Sequence, residues 1–325
     1  MKVSVIIPVY KVEQFIERCA RTLFEQTLAD VEFIFVDDAS PDKSIEVLQS
    51  CIKEYPNKKD YIHIVRHSEN KGLPAARNTG LRIACGDYIF HCDSDDYVEL
   101  DMLERMYATA IDNDADIVWS DFYLSFETNE RYLKQPEYAD AKQSVCAMLG
   151  GGMKFNVWNK LVRRRLYTEN GIDFPAGYGM GEDMTMIMLF ACAKNVKYIP
   201  FAFYHYVKLN MNSFTQTHSD RHITELKYNV QRISNFLNEK CGNTYEREIA
   251  YLKLCVKYSY LISGDRERYE IWQQMYPEAN KYIEKTPYTS YRSWFLQLCA
   301  AKKQYWILQL HYYFLHKVVY GLIYR

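Results

Sequence analysis

The sequence predicts an α/β protein: a doubly wound, mostly parallel sheet flanked by helices, followed by an all-helical extension. Three observations carry this. Over the first hundred residues, short apolar runs alternate with stretches of helical periodicity, in the order strand, helix, strand, helix, strand, helix, strand. The early runs are continuous rather than alternating, as in strands buried on both faces. From about residue 219 onward every signal is helical. At 325 residues and 48% hydrophobic, the chain can build a full core and two domains, which we draw at 1–215 and 216–325.

Taken in order, residues 3–8 are a β-branched run ended by Pro8, a buried strand. Residues 13–26 place Phe15, Ile16, Cys19, Ala20, Leu23 and Phe24 on one helical face. Residues 31–36 are a second strand, ending on Asp37 and Asp38. Ser40 followed by Pro41 reads as an N-cap with proline at the first helical position. Residues 61–65 and 86–92 are the next strands, separated by a helix over 72–84. A helix over 101–113 and a short strand at 117–119 follow. Periodicity fails over 127–140, which reads as a loop, and Gly150 to Gly152 read as a flexible break. An apolar pattern resumes at 157–162. Residues 174–182 hold one Pro and three Gly, a loop that leads into a helix over 183–193. Two short strands are expected at 198–199 and 203–207, around Pro200. Helices are expected over 223–237, 245–262, 266–275, 291–302 and 305–324.

A net charge of -1 argues against a general nucleic-acid binder. Nine scattered cysteines, with no C-x-x-C pair, predict free thiols in a reducing, cytoplasmic setting. No basic and apolar leader precedes the first strand, so no secretory signal is expected, and no run of 18 apolar residues suggests a membrane span.

The densest chemistry lies at 86–97, where a strand stops on Asp93, Asp95 and Asp96. In open α/β sheets ligands bind at the carboxyl ends of strands. Carboxylates crowded there repel one another unless a hard divalent cation such as Mg²⁺ or Mn²⁺ lies between them. The plainer alternative is an acidic loop leading to a helix capped by Asp101. Asp37 and Asp38 end a strand on the same edge, where a carboxylate can accept from a base or ribose, or cap the next helix. No G-x-G-x-x-G follows the first strand, so a dinucleotide is not expected. In the stretch 70–80, Arg77 lies in a helix that packs on the sheet. It needs a partner, and orienting an aspartate is the favoured role, with nucleotide contact as the alternative.

These motifs, together with Gly181-Glu182-Asp183, resemble those of the family 2 glycosyltransferases, inverting sugar-transfer enzymes with the GT-A fold. The resemblance covers about residues 1–215 and rests on five motifs in order. It implies a nucleotide pocket with Pro8, Tyr10 and Asp38, a main metal ligand at Asp95, and Asp93 on the metal or ribose. Asp96 would serve the donor sugar. It places the general base in the Glu182-Asp183 pair, with Asp183 preferred. Trp158, in a segment that resembles a recurrent family one, would stack on a sugar or lie in the core. His205 would be a further metal ligand or simply packed. The implied donor is a nucleotide-diphospho-sugar, with UDP expected, and the acceptor a glycan or lipid-linked saccharide in bacterial surface polysaccharide assembly. A catalytically silent sugar-nucleotide-binding scaffold is the rival reading, and a nucleotidyltransferase a second. The Tyr-rich tail would pack on the catalytic domain or a second copy, or lie peripherally on the cytoplasmic face of a membrane.

Overall fold

The computed structural model describes residues 1–208 and 220–315. The chain divides into two compact units, Met1–Ser144 with Phe155–Ile233, and Val145–Lys154 with Ser234–Arg325.

In the first unit, β1 (Val3–Val9), β2 (Val31–Asp37), β3 (Ile62–Arg66) and β4 (Tyr88–His91) run parallel in the order β3-β2-β1-β4. Every residue of β1, β2 and β4 is buried, which is why these strands read as unbroken apolar runs. The crossovers are α1 (Ile16–Phe24), α2 (Ser44–Lys53) and α3 (Leu73–Ile83). Helix α1 buries Ile16, Cys19, Ala20, Leu23 and Phe24, the predicted face. Helix α2 begins later than Ser40 suggested. The Asp42 carboxylate instead accepts from the hydroxyls of Ser40 and Ser44, both at 2.6 Å, and from the Glu13 amide at 3.1 Å. Ser40 Oγ in turn accepts from the Lys11 amide at 2.8 Å. Residues 40–44 therefore hold the turn after β1.

Past β4 the sheet becomes mixed. It gains β5 (Tyr97–Val98), β6 (Ile117–Ser125), β7 (Glu130–Leu133), β8 (Lys160–Arg163) and β9 (Val196–Val207). The spatial order continues β4-β8-β6-β9-β5, with β7 on β6. Strand β8 is antiparallel to both β4 and β6, whereas β9 is parallel to β6. Among the described residues the nine-stranded sheet is thus parallel in its first half and mixed in its second. The expected loop at 127–140 contains β7, a hairpin partner of β6. The two strands expected around Pro200 are one strand, β9, whose register against β6 shifts between Ser120 and Phe122, where Pro200 falls. The remaining helices of this unit include α4 (Met102–Asp112), α6 (Arg165–Asn170) and α7 (Thr185–Cys192). Helix α5 (Ala141–Leu149) and helix α8 (Asp220–Cys241) each run across the division between the units.

The second unit holds α9 (Glu246–Lys257), α10 (Arg266–Gln274), α11 (Tyr291–Ala301) and α12 (Tyr305–Tyr313). They enclose a core that includes Leu254, Leu261, Tyr269, Trp272, Leu296 and Leu308. Lys257, fully buried, donates to the Met275 and Tyr276 carbonyls at 2.8 and 3.2 Å, which otherwise end α10 unsatisfied. The helix expected over 305–324 is seen to Tyr313, and its later part lies outside the described residues. Among the described residues no helix is long and apolar enough to cross a membrane.

Candidate active site

Strand β4 ends in a turn closed by the Asp96 amide on the Asp93 carbonyl at 3.1 Å. Tyr204 of β9 locks that turn: its hydroxyl accepts from the Asp93 amide at 3.0 Å and donates to Asp96 Oδ2 at 2.8 Å. Asp96 Oδ1 accepts from the Val207 amide at 2.7 Å. The turn therefore buries Asp96 completely and leaves Asp93 and Asp95 partly exposed. Burial, and then the charges of Asp95 and Asp93, hold the Asp96 carboxyl well above the usual range. Asp96 thus lies beneath the acidic turn and supports it.

Arg77 sits on α3 and is 1% exposed. It donates to Asp93 Oδ1 at 2.9 Å and to Glu182 Oε1 at 2.8 Å. Burial opposes its charge, and the two carboxylates more than offset this, so its pKa is raised. One guanidinium thereby joins the acidic turn to a residue 105 positions away.

Glu182 and Asp183 open a short 3₁₀ turn ahead of α7, entered through Gly181 at φ +86°. The loop before it is held at both ends. The Asn78 side chain, next to Arg77 on α3, pairs with the backbone of Phe174, donating at 2.8 Å and accepting at 2.7 Å. The Asn229 amide on α8 donates to the carbonyls of Tyr178 and Met180 at 3.2 and 2.9 Å. Glu225 accepts from the Met180 amide at 2.9 Å, and Tyr228 stacks on Tyr178 with ring centroids 3.6 Å apart.

Asp183 is pushed up to about 8, first by burial and then by the Glu182 charge, against the pull of Arg77 and Lys160. Glu182 is also raised, by burial first. Lys160 on β8 is 1% exposed and donates to the Asn156 carbonyl at 2.7 Å and Asn159 Oδ1 at 2.9 Å. Burial pushes its amine down to about 7. From sequence this lysine is named only as the end of the Trp158 segment and given no role, although a Lys within the apolar run 157–162 was a usable signal. Tyr206 is a second group it missed: burial, then Asp96, Asp93, Asp95 and Asp183, push its hydroxyl up to about 12. Trp158 is buried and stacks on Tyr204 and Tyr206 at 4.5 and 5.2 Å, as a core aromatic would.

The nucleotide-side residues lie at the ends of β1 and β2. Pro8 is buried within β1, and Tyr10 just beyond it is 40% exposed. Asp38 is buried, with Oδ1 2.7 Å from His67 Nδ1, and it accepts from the amides of Lys71 and Gly72, both at 2.8 Å. It thereby anchors the turn that begins α3. Asp37 accepts from the Ser40 amide at 2.8 Å and Arg66 at 2.5 Å. His205 lies between the rings of Tyr97 and Tyr123, with Nδ1 2.7 Å from Glu130 and Nε2 2.9 Å from Glu99. Both ring nitrogens are taken by carboxylates, an arrangement that sequence alone did not show.

Among the described residues no group of three or more His, Cys, Asp or Glu is arranged to hold a metal by itself. Asp93 and Asp95, part-exposed on one turn, are a two-carboxylate oxygen set. Mg²⁺ is commonly held by one or two carboxylates together with substrate phosphates, so the donor set fits such an ion.

Comparison with solved structures settles the class of enzyme fold first. TarS from S. aureus, solved in complex with UDP-GlcNAc, superposes with a TM-score of 0.71 at 18% identity, over 96% of this chain and 91% of that one. The mannosyltransferase PcManGT from Pyrobaculum calidifontis, solved with GDP-Man and Mn²⁺, superposes with a TM-score of 0.53 at 18% identity, over 94% of this chain and 87% of that one. The fold is GT-A with a helical C-terminal region. The sequence profile of Glycosyl transferase family 2 matches residues 4–183, and the chain belongs to that family. It is 34% identical over 222 residues to the uncharacterized glycosyltransferase EpsJ of Bacillus subtilis (strain 168). That match covers 66% of this chain and 63% of EpsJ, so it spans less than two thirds of that relative's length.

Proposed function

We propose that this protein is a metal-dependent inverting glycosyltransferase. It takes a sugar from a nucleotide-diphospho-sugar, a UDP-sugar in our reading, to a hydroxyl of a glycan or lipid-linked saccharide in bacterial surface polysaccharide assembly. The observation that carries this is the Arg77 bridge, because it holds Asp93 and Glu182 within reach of one guanidinium. A donor side and a base side are thereby joined across a single buried group.

In this reading Asp183 is the general base and Glu182, tied to Arg77, its positioning partner. Asp183 takes the proton of the acceptor hydroxyl. The acceptor oxygen forms its bond to the anomeric carbon as the bond from that carbon to the diphosphate oxygen breaks. The leaving nucleoside diphosphate keeps the electron pair, and attack from the opposite face inverts the configuration. Asp95 and Asp93 would hold the divalent ion, which supplies positive charge opposite the leaving diphosphate. His205 drops out of the proposed metal set because Glu99 and Glu130 take its nitrogens. Pro8, Tyr10 and Asp38 remain the nucleotide side, with Asp38 acting by shaping the 71–72 turn. The bound UDP-GlcNAc of TarS supports the choice of UDP, and the Mn²⁺ of PcManGT supports the ion.

Calorimetric titration of UDP, with and without Mn²⁺, on the wild type and Asp95→Ala tests the donor site. Metal-dependent binding that Asp95→Ala abolishes is expected. Binding of another nucleotide in place of UDP would overturn the donor class. Failure to bind any nucleotide would favour the silent scaffold.

A further inference from the structure

The three glycines at 150–152 take no part in the sheet or the acidic site. Gly150 follows α5, and with Gly152 it lies against the ring of Tyr288. A Cβ at Gly150 would stand 2.5 Å from one ring carbon of Tyr288, and at Gly152 2.3 Å from another. The expected flexible break is therefore a bare seat for an aromatic ring. That seat is one wall of a cavity of about 280 Å³ within the second unit. Tyr251, Tyr258 and Tyr282 line it as well, with Ser293 and Gln297 from α11. Its volume is near the lower end for small-molecule sites, which mix aromatic walls with a few placed polar groups.

We propose that this cavity binds a neutral saccharide, a pyranose unit of the glycan acceptor, outside the transfer site. Four tyrosines offer apolar ring faces for the C–H face of a sugar, while the hydroxyls of Tyr251 and Tyr282 already donate to Glu284 and Glu246. One polar group of the wall is unspent. Gln297 is 5% exposed, and its amide nitrogen donates to Ser293 at 3.3 Å, yet among the described residues its amide oxygen has no hydrogen-bond partner. An acceptor buried without a donor is costly, and a sugar hydroxyl that draws the amide toward it removes the cost. The lining is balanced in charge. It holds one cation, Lys154, and one carboxylate, Glu284, and Glu284 already accepts from Arg247 and Tyr251. The Cys255 thiol is pushed up to about 11 by burial and stays neutral. A diphosphate would lack unspent cations here, and an alkyl chain would strand the Ser293 and Gln297 side chains.

The assignment rests on the reading that the acceptor is a glycan, and it is tested apart from transfer. Saturation-transfer NMR on the full chain, with methyl β-glucopyranoside and N-acetylglucosamine as probes, reads binding directly. Transfer to the ring protons of at least one sugar is expected, and it persists under saturating UDP and Mn²⁺. Tyr288→Ala and Gln297→Leu should each weaken it by about tenfold or more, the scale of one lost buried contact, while UDP titration is unchanged. Where Tyr288→Ala unfolds, Ser293→Ala serves in its place. Absence of transfer to both sugars, displacement by UDP, or an unchanged signal in the folded variants would each overturn the assignment. A wild type that binds sugar but no UDP would sink the donor reading and leave this site standing.

Discussion

Asp183, the base we propose, sits in a poor place for a charge, a setting that would suit it to take a proton. Burial and the Glu182 charge push it up to about 8, whereas an ordinary aspartate titrates near 4. A base acts only when deprotonated. Transfer should therefore rise with pH toward about 8, where an unperturbed carboxylate would leave the profile flat above about pH 5. Lys160 pulls Asp183 the other way and titrates nearby, at about 7. Lys160→Met removes that pull, so the rising limb of kcat/KM should move to higher pH. Asp183→Asn should cost about 10²–10⁴ in kcat with UDP binding retained. A limb that stays below pH 5, in both the wild type and Lys160→Met, would refute the assignment. Arg77 is the other decisive side chain. Arg77→Met leaves Asp93 and Glu182 facing each other without a cation, and removing one partner from a buried pair costs about 3–5 kcal/mol. Urea denaturation should show the loss, and Arg77→Lys should recover only part of it, since a single ammonium cannot span both carboxylates as the fork does.

At the level of elements, the loop before Glu182 is a backbone held by side chains from two helices. Asn78 grips it at Phe174, and Asn229 grips it at Tyr178 and Met180. Each such bond is worth about 1 kcal/mol, so Asn229→Ala should raise the open population of the loop by roughly 5–30-fold. Limited proteolysis within 174–181 should quicken and kcat should fall, while UDP affinity holds. Equal loss of UDP binding would show that α8 supports the donor side instead. This grip was not legible in the sequence, because Asn229 reads only as a polar position on a helix. What was legible had a local cause. The buried strands β1, β2 and β4 are continuous apolar runs, and α1 shows its face at i, i+3 and i+4. Strand β7 was missed because three of its four residues are exposed and carry no alternation. Strand β9 was split in two because Pro200 looks like a terminus, although a register shift accommodates it. In the site, Asp93 to Asp96 are neighbours in sequence and could be read together. The Arg77–Glu182 bridge and the commitment of His205 to Glu99 join residues 105 and 106 positions apart, so only the fold reveals them.

The whole chain presents one further feature, on the surface of the second unit. Helix α12 buries Leu308 fully but leaves Trp306, Leu310 and Tyr313, with Phe314 just past its end, at 54–65% exposed. These four follow helical spacing and share a face. Tyr291 and Phe295 on α11 are exposed too, and Lys302 and Lys303 stand at the turn between the helices. Exposed apolar patches of this kind mark interaction surfaces, and aromatic residues beside lysines suit the headgroup level of a bilayer. Trp306 has an amphipathic ring that gains little from bulk water but can lie among headgroups with its N–H satisfied. Among the described residues no helix is long and apolar enough to cross a membrane. The full chain should co-sediment with vesicles of phosphatidylcholine and phosphatidylglycerol, less so as the salt is raised. Trp306→Ser with Leu310→Ser should weaken this several-fold, with UDP binding intact. If the wild type ignores vesicles but sediments as a dimer, and the double variant is monomeric, the face is a protein interface and the membrane assignment fails.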